Sequence, residues 1–145
     1  LLDTNIVTIL FRMQEAMEQN TVLTANMAQV SPEQTVISSI TVVEQMQGMV
    51  SLVRQFEKMN REHEAHAVML SVCRFLNRFT IIEFDTDAQA RFLRFPAAVR
   101  RQGRADCQIA AIAIERDYTV VTQNVRHFAA IPEARFADWT RPGTA

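Results

Sequence analysis

Residues 1–5, LLDTN, run two apolar side chains straight into an aspartate. Leu1 and Leu2 read as the end of a buried strand, and a strand that stops at Asp3 delivers a carboxylate to its carboxyl edge. In open parallel sheets that edge is where ligands bind. Three further segments hand an oxygen-bearing side chain to a strand end or a helix start. SSITVVEQMQG leaves a strand and enters a helix with Glu44 one turn in. GRADCQIAAIA enters another helix with Asp106 in its first turn. VVTQN ends a strand, with Thr122 and Asn124 just past it. Separations of 41 and 62 positions between successive acids exclude local helix pairing, so only the fold can bring them to one edge.

The rest of the chain supplies such a fold. After the opening strand, residues 5–17 place Ile6, Ile9, Leu10, Met13 and Met17 at helical spacing, and residues 18–34 loosen into a turn region. TVISSI, β-branched and short, reads as a strand. Helical periods over 41–60 and 61–79 follow, then a strand at TIIEF, one helix over 85–102 and another over 104–117. YTVVTQN and RFADW read as the last two strands, with His127 in a turn between them. Strands separated by helical segments predict an α/β fold, a parallel sheet with helices on both faces.

With 145 residues, 48% of them hydrophobic and 21% charged, residues 1–145 form one domain that buries a sizeable core. Three glycines and four prolines argue against a linker-rich or disordered chain. No apolar run of about 18 residues predicts a membrane span, no secretory leader is visible, and the cytoplasm is the default compartment. Cys73 and Cys107 stand 34 positions apart in apolar helical context, as reduced, buried thiols. The net charge of −1 does not advertise nucleic-acid binding. The distribution says more, because 14 of the 15 basic residues are arginine and five of them (Arg91, Arg94, Arg100, Arg101, Arg104) fall in one short stretch. A solvated helix face accounts for them, and so does a phosphate ligand, which arginine's fixed fork suits.

Each acid also has an ordinary structural role open to it. Glu44 lies three residues after Thr41, the spacing of a capping box. Asp106 gains from the helix dipole in any case, and Asp3 can serve as a cap. Clustered carboxylates, however, raise one another's pKa unless a cation compensates. Hard oxygen donors without a nearby His or Cys pair suit Mg²⁺ or Mn²⁺ rather than zinc. His63 and His66 miss the zincin spacing by one position and read as a wet helix face. The methionines, several at helical spacing, read as core, or as an adaptable surface that receives a partner helix.

LLDTN, SSITVVEQMQG, GRADCQIAAIA and VTQNVRHF, in this order and near these spacings, resemble the PIN-domain ribonucleases, in particular the VapC-type toxins of type II toxin–antitoxin pairs. The resemblance covers nearly the whole chain, most loosely at 18–34 and 56–79. It implies a three-layer α/β/α sandwich around a central, mainly parallel five-stranded sheet, and metal-dependent endonucleolytic cleavage of RNA. It carries Asp3, Glu44 and Asp106 onto the family's acidic site as catalytic residues and ligands of Mg²⁺ or Mn²⁺, expected within one coordination shell. A carboxylate-held cation of this kind activates water against a phosphodiester. Thr4 and Thr122 are placed to hold a carboxylate or a water, Asn5 to cap or touch substrate, and Arg104 and Arg101 to meet the RNA backbone. The resemblance also implies a cognate antitoxin; a homodimer is expected, and no membrane partner.

Two departures stand out. The family often has a fourth acid where this chain has Asn124, so one metal is better supported than two, and a PIN-like scaffold that binds RNA or protein without cutting is the alternative. The chain begins without Met, and only two residues precede Asp3, which points to a first strand clipped or numbered from a processed start. A phospho-receiver domain is disfavoured because Lys58, the only lysine, lies within a helix, and a haloacid-dehalogenase-like phosphatase because Asn5 stands where a second aspartate is needed.

Overall fold

The computed structural model describes residues 1–143. Leu2 forms parallel bridges to Ile37 on one side and to Val121 on the other, and Asp3 then turns into helix α1 (Thr4–Gln14). Next come α2 (Thr21–Met27), a 3-10 turn (Pro32–Gln34), strand β1 (Val36–Ser38) and the long helices α3 (Ser39–Glu57) and α4 (Glu62–Leu76). Strand β2 (Thr80–Ile82) leads to α5 (Thr86–Arg94), α6 (Ala97–Gln102) and α7 (Arg104–Glu115). Strand β3 (Val120–Val121), the short helix α8 (Val125–Ala129) and β4 (Phe136–Ala137) follow.

β1 pairs with β2 and β3 with β4, all parallel, and Leu2 joins the two ladders, so the order across the layer is β2, β1, Leu2, β3, β4. The five-stranded sheet expected from the sequence is therefore present only in reduced form. Among the described residues four strands of two or three residues form, and a single bridging residue holds the middle place. The Leu2 bridge and strand β1 are short because a capping side chain stands at the carboxyl end of each. Asp3 accepts from the Thr4 amide at 2.7 Å and Ser38 from the Thr41 amide at 3.0 Å, and each cap starts a helix at once.

Alternation along these strands divides the core in two. Leu1, Val36 and Val120 join Ala88, Phe92, Phe95, Phe128 and the apolar stripe Cys107 to Ala113 on one side. Leu2, Ile37 and Val121 join Ile6, Val7, Ile9, Leu23, Val72, Phe75 and Leu76 on the other. Neighbouring residues of a strand face opposite ways, so helices α5, α7 and α8 cover one face and α1, α2 and α4 the other. Among the described residues no helix is long and apolar enough to cross a membrane.

Several expectations need correction. Residues 18–34 hold helix α2, started by Asn20, whose side chain accepts from the Leu23 amide at 2.8 Å. The single helix over 85–102 is two, because Pro96 forces Phe95 into extended backbone (ψ 144°). Cys73 is exposed while Cys107 is buried, since the buried stripe of α4 runs through Ala65, Val72, Phe75 and Leu76 and leaves Cys73 beside it. None of the seven methionines is fully buried; Met13, Met27, Met46 and Met49 pack against the core, while Met17 and Met59 are exposed.

Candidate active site

The strands end at one edge, and the four polar segments meet there. Asp3, only 3% exposed, is held from three directions. Its Oδ1 accepts from the Thr4 amide, and its Oδ2 accepts from the Thr122 hydroxyl at 2.7 Å and from Asn5 Nδ2 at 2.8 Å. Thr122 is itself buried and is fixed by the Asn124 amide, which donates to its hydroxyl at 2.8 Å. Asn5 Oδ1 accepts from the Gln123 amide at 3.2 Å, so the start of α1 is tied to the end of β3.

Glu44 does not close a capping box. Ser38 caps α3, and Glu44 Oε2 accepts instead from the Thr4 hydroxyl at 2.5 Å, across to the first helix. Asp106 Oδ2 accepts from Asn124 Nδ2 at 2.7 Å and pairs with His127 Nδ1 at 2.8 Å. His127 is the residue that reading the sequence missed. It lies in α8 rather than in a turn, one residue before the fully buried Phe128. The signal available was the pair Asn124 and His127 at helical spacing, i and i+3, which puts both on one face.

Asp3 feels the other two acids. Burial pushes the Asp3 carboxyl up to about 6, the charges of Asp106 and Glu44 add to the rise, and the Thr122 hydroxyl and Thr4 amide oppose it. Among the described residues no arginine or lysine forms an ion pair with any of the three. Nor is any group of three His, Cys, Asp or Glu side chains among them gathered closely enough to hold a metal ion as it stands. Glu44 is turned to Thr4, and Asp106 to Asn124 and His127. The donor set is nevertheless one of hard carboxylate oxygens whose mutual repulsion a divalent cation would relieve, which fits Mg²⁺ or Mn²⁺.

The arginine stretch divides by role. Arg91 is spent on Glu115 at 2.7 Å and Glu133 at 3.1 Å. Arg100 and Arg104 lie over the ring of Phe92, at 5.5 and 5.0 Å from its centroid. Arg101 and Arg104 are exposed just before Asp106. His63 and His66 are exposed on α4, away from this edge.

The fold has counterparts among known proteins. The "tRNA(fMet)-specific endonuclease VapC" of Salmonella typhimurium is 35% identical over 69 residues, 45% of this chain and 52% of that protein, so the chain spans about half the length of the curated relative it matches. Among solved structures, DNA-bound VapBC from Salmonella typhimurium superposes with a TM-score of 0.63 at 29% identity, covering 95% of this chain and 96% of that one. FitAcB from Neisseria gonorrhoeae has the same fold, with a TM-score of 0.67 at 24% identity over 95% of this chain and 96% of that one. The sequence matches the PIN domain family over residues 1–134, and the chain belongs to that family.

Proposed function

We propose that the chain is a single PIN-like domain over residues 1–145, its first strand completing a five-stranded sheet, and a metal-dependent endoribonuclease, the toxin of a toxin–antitoxin pair. The observation that carries the reading is Asp3, a buried carboxylate raised to about 6 beside two more acids, without a cationic side chain to compensate among the described residues. Asp3, Glu44 and Asp106 would hold Mg²⁺ or Mn²⁺. Once bound, the ion supplies a Lewis acid for a phosphoryl oxygen and lowers the pKa of a bound water. The chain's own residues do the positioning. Thr122 and Asn5 fix Asp3, Thr4 fixes Glu44, and Asn124 holds Asp106. Arg104 and Arg101 stand where the RNA backbone would approach, and the stacking of Arg104 on Phe92 reduces the freedom it must lose on binding.

The test is cleavage of total RNA with Mg²⁺, with Mn²⁺ and with EDTA, scored on gels. Total RNA keeps substrates beyond the one for which the curated relative is named in view. Cleavage that needs the ion supports the reading. RNA retained on the protein but never cut would favour the second one, a PIN-like scaffold, which Asn124 in place of a fourth acid and the open arrangement of the acids favour.

The partner reading rests on α3 and α4. Val43, Val50, Met59 and Leu70 are exposed on or beside them, and Val42, Val43, Met46 and Val50 line a groove of about 450 Å³. Such a groove suits an amphipathic segment of an antitoxin, and the chain is expected to form a homodimer. Co-expression with the product of a neighbouring small reading frame should yield a complex and exclude RNA cleavage. Light scattering that finds only monomer would remove the dimer.

A further inference from the structure

We propose that His127 is a positioning residue that, together with Asn124, clamps one oxygen of Asp106 and leaves the other for the divalent cation. Cation affinity then depends on a side chain that need not touch the cation. The proposal rests on the metal-dependent reading above and deepens it.

Asn124 Nδ2 and His127 Nδ1 reach the same Oδ2 of Asp106, at 2.7 and 2.8 Å. A carboxylate oxygen only accepts, so Nδ1 carries the proton and donates it. The 2.9 Å approach of Asn124 Nδ2 to His127 Nδ1 is then two donors converging on one oxygen, not a bond between them. No hydrogen bond to Oδ1 of Asp106 is formed among the described residues. Two donors on one oxygen fix the carboxylate plane more firmly than one, and outer partners of this kind orient metal ligands.

The chain makes room for this clamp. A Cβ on Gly103 would lie 2.9 Å from Asp106 Oδ2 and 3.3 Å from His127 Nδ1. Gly103 precedes α7, and its missing side chain lets the imidazole reach the carboxylate across the gap between α7 and α8. His127 itself is half-buried, and the buried Phe128 anchors its helix. Loss of the imidazole should therefore loosen Asp106 without unfolding α8.

Mn²⁺ binding, read from the electron paramagnetic resonance of the free ion, tests this on the wild type and on His127→Ala, His127→Asn and His127→Gln. Asparagine places its Nδ2 as many bonds from Cα as the imidazole Nδ1, and glutamine places its amide one atom further out. Alanine and glutamine should weaken Mn²⁺ binding by about 10- to 100-fold. Asparagine should restore most of it, and all four proteins should melt alike without metal. Unchanged affinity in His127→Ala would overturn the proposal, as would equal weakening by alanine and asparagine. A lowered melting temperature with unchanged affinity would reduce His127 to a structural contact and overturn it too. A wild type that binds no Mn²⁺ overturns the metal site itself, an outcome distinct from the other three.

Discussion

Replacing Asp3 by asparagine is expected to abolish RNA cleavage while raising the melting temperature of the metal-free protein. The folded carboxyl titrates at about 6 against a usual 3.8. Below about pH 4 it is protonated in both folded and unfolded chains and costs nothing. Between about pH 4 and 6 the unfolded chain releases a proton that the folded chain keeps, so stability falls as pH rises. Above that window the folded state carries a cost of about 3 kcal/mol. Asparagine carries no charge and escapes the cost, but its amide nitrogen cannot accept one of the bonds that Asp3 accepts from Thr4, Thr122 and Asn5. The net gain is therefore smaller, roughly 1–2 kcal/mol above about pH 7, and it turns into a small loss towards about pH 4, where only the missing bond remains. Added Mg²⁺ should stabilise the wild type and not the variant. Cleavage should fall by more than about 100-fold, beyond the loss from removing an outer partner of a metal ligand. Melts across this pH range with EDTA and with Mg²⁺ provide the check. Parallel pH profiles for the two proteins would show that Asp3 bears no such cost.

Phe128→Ala should be the most destabilising change near the site. Phe128 is fully buried in the core face shared with Ile109, Ile112 and Val120. Truncating such a ring costs about 3–5 kcal/mol, or roughly 10 °C in melting temperature for a chain of this size. The neighbouring Arg126→Ala is exposed and should be nearly silent. Because Phe128 seats the helix that carries His127, the variant should also bind Mn²⁺ more weakly at temperatures where it is still folded. Melting curves for both variants give the first comparison. Equal loss in the two would show that the ring does not anchor α8.

What the sequence made legible followed the strength of its periodic signals. Strand ends handing over to capped helices marked Asp3 and Glu44, a strand end alone marked Thr122, and a place in the first turn of α7 marked Asp106, because each of these is a local event. Helix α2 escaped because its apolar positions are few, Leu23 alone being buried, and its start depends on the Asn20 side chain. Helix α8, five residues long, is too short to show a period, and its helical state is set by the burial of Phe128. The role of His127 was illegible for the same reason. Its partner Asp106 is 21 positions away, and the contact exists only because Gly103 leaves the gap open. The exposure of Cys73, Met17 and Met59 was misjudged because helical spacing identifies a face but not which neighbour covers it.

The middle place in the sheet also sets the order in which the molecule can become complete during synthesis. Leu2 meets Ile37 early, but its other neighbour is Val121, and the bonds from the Asp3 amide to Val121 and from the Val121 amide to Leu1 await that residue. The Thr122 hydroxyl on Asp3 and the Asn124 amide on Asp106 come later still. A contact spanning this much chain also bears the full entropy of closing the loop between its ends. On the ribosome the first two acids thus wait for the third until residue 106 is made, and the polar cluster at the sheet edge is closed only once Asn124 and His127 have been added.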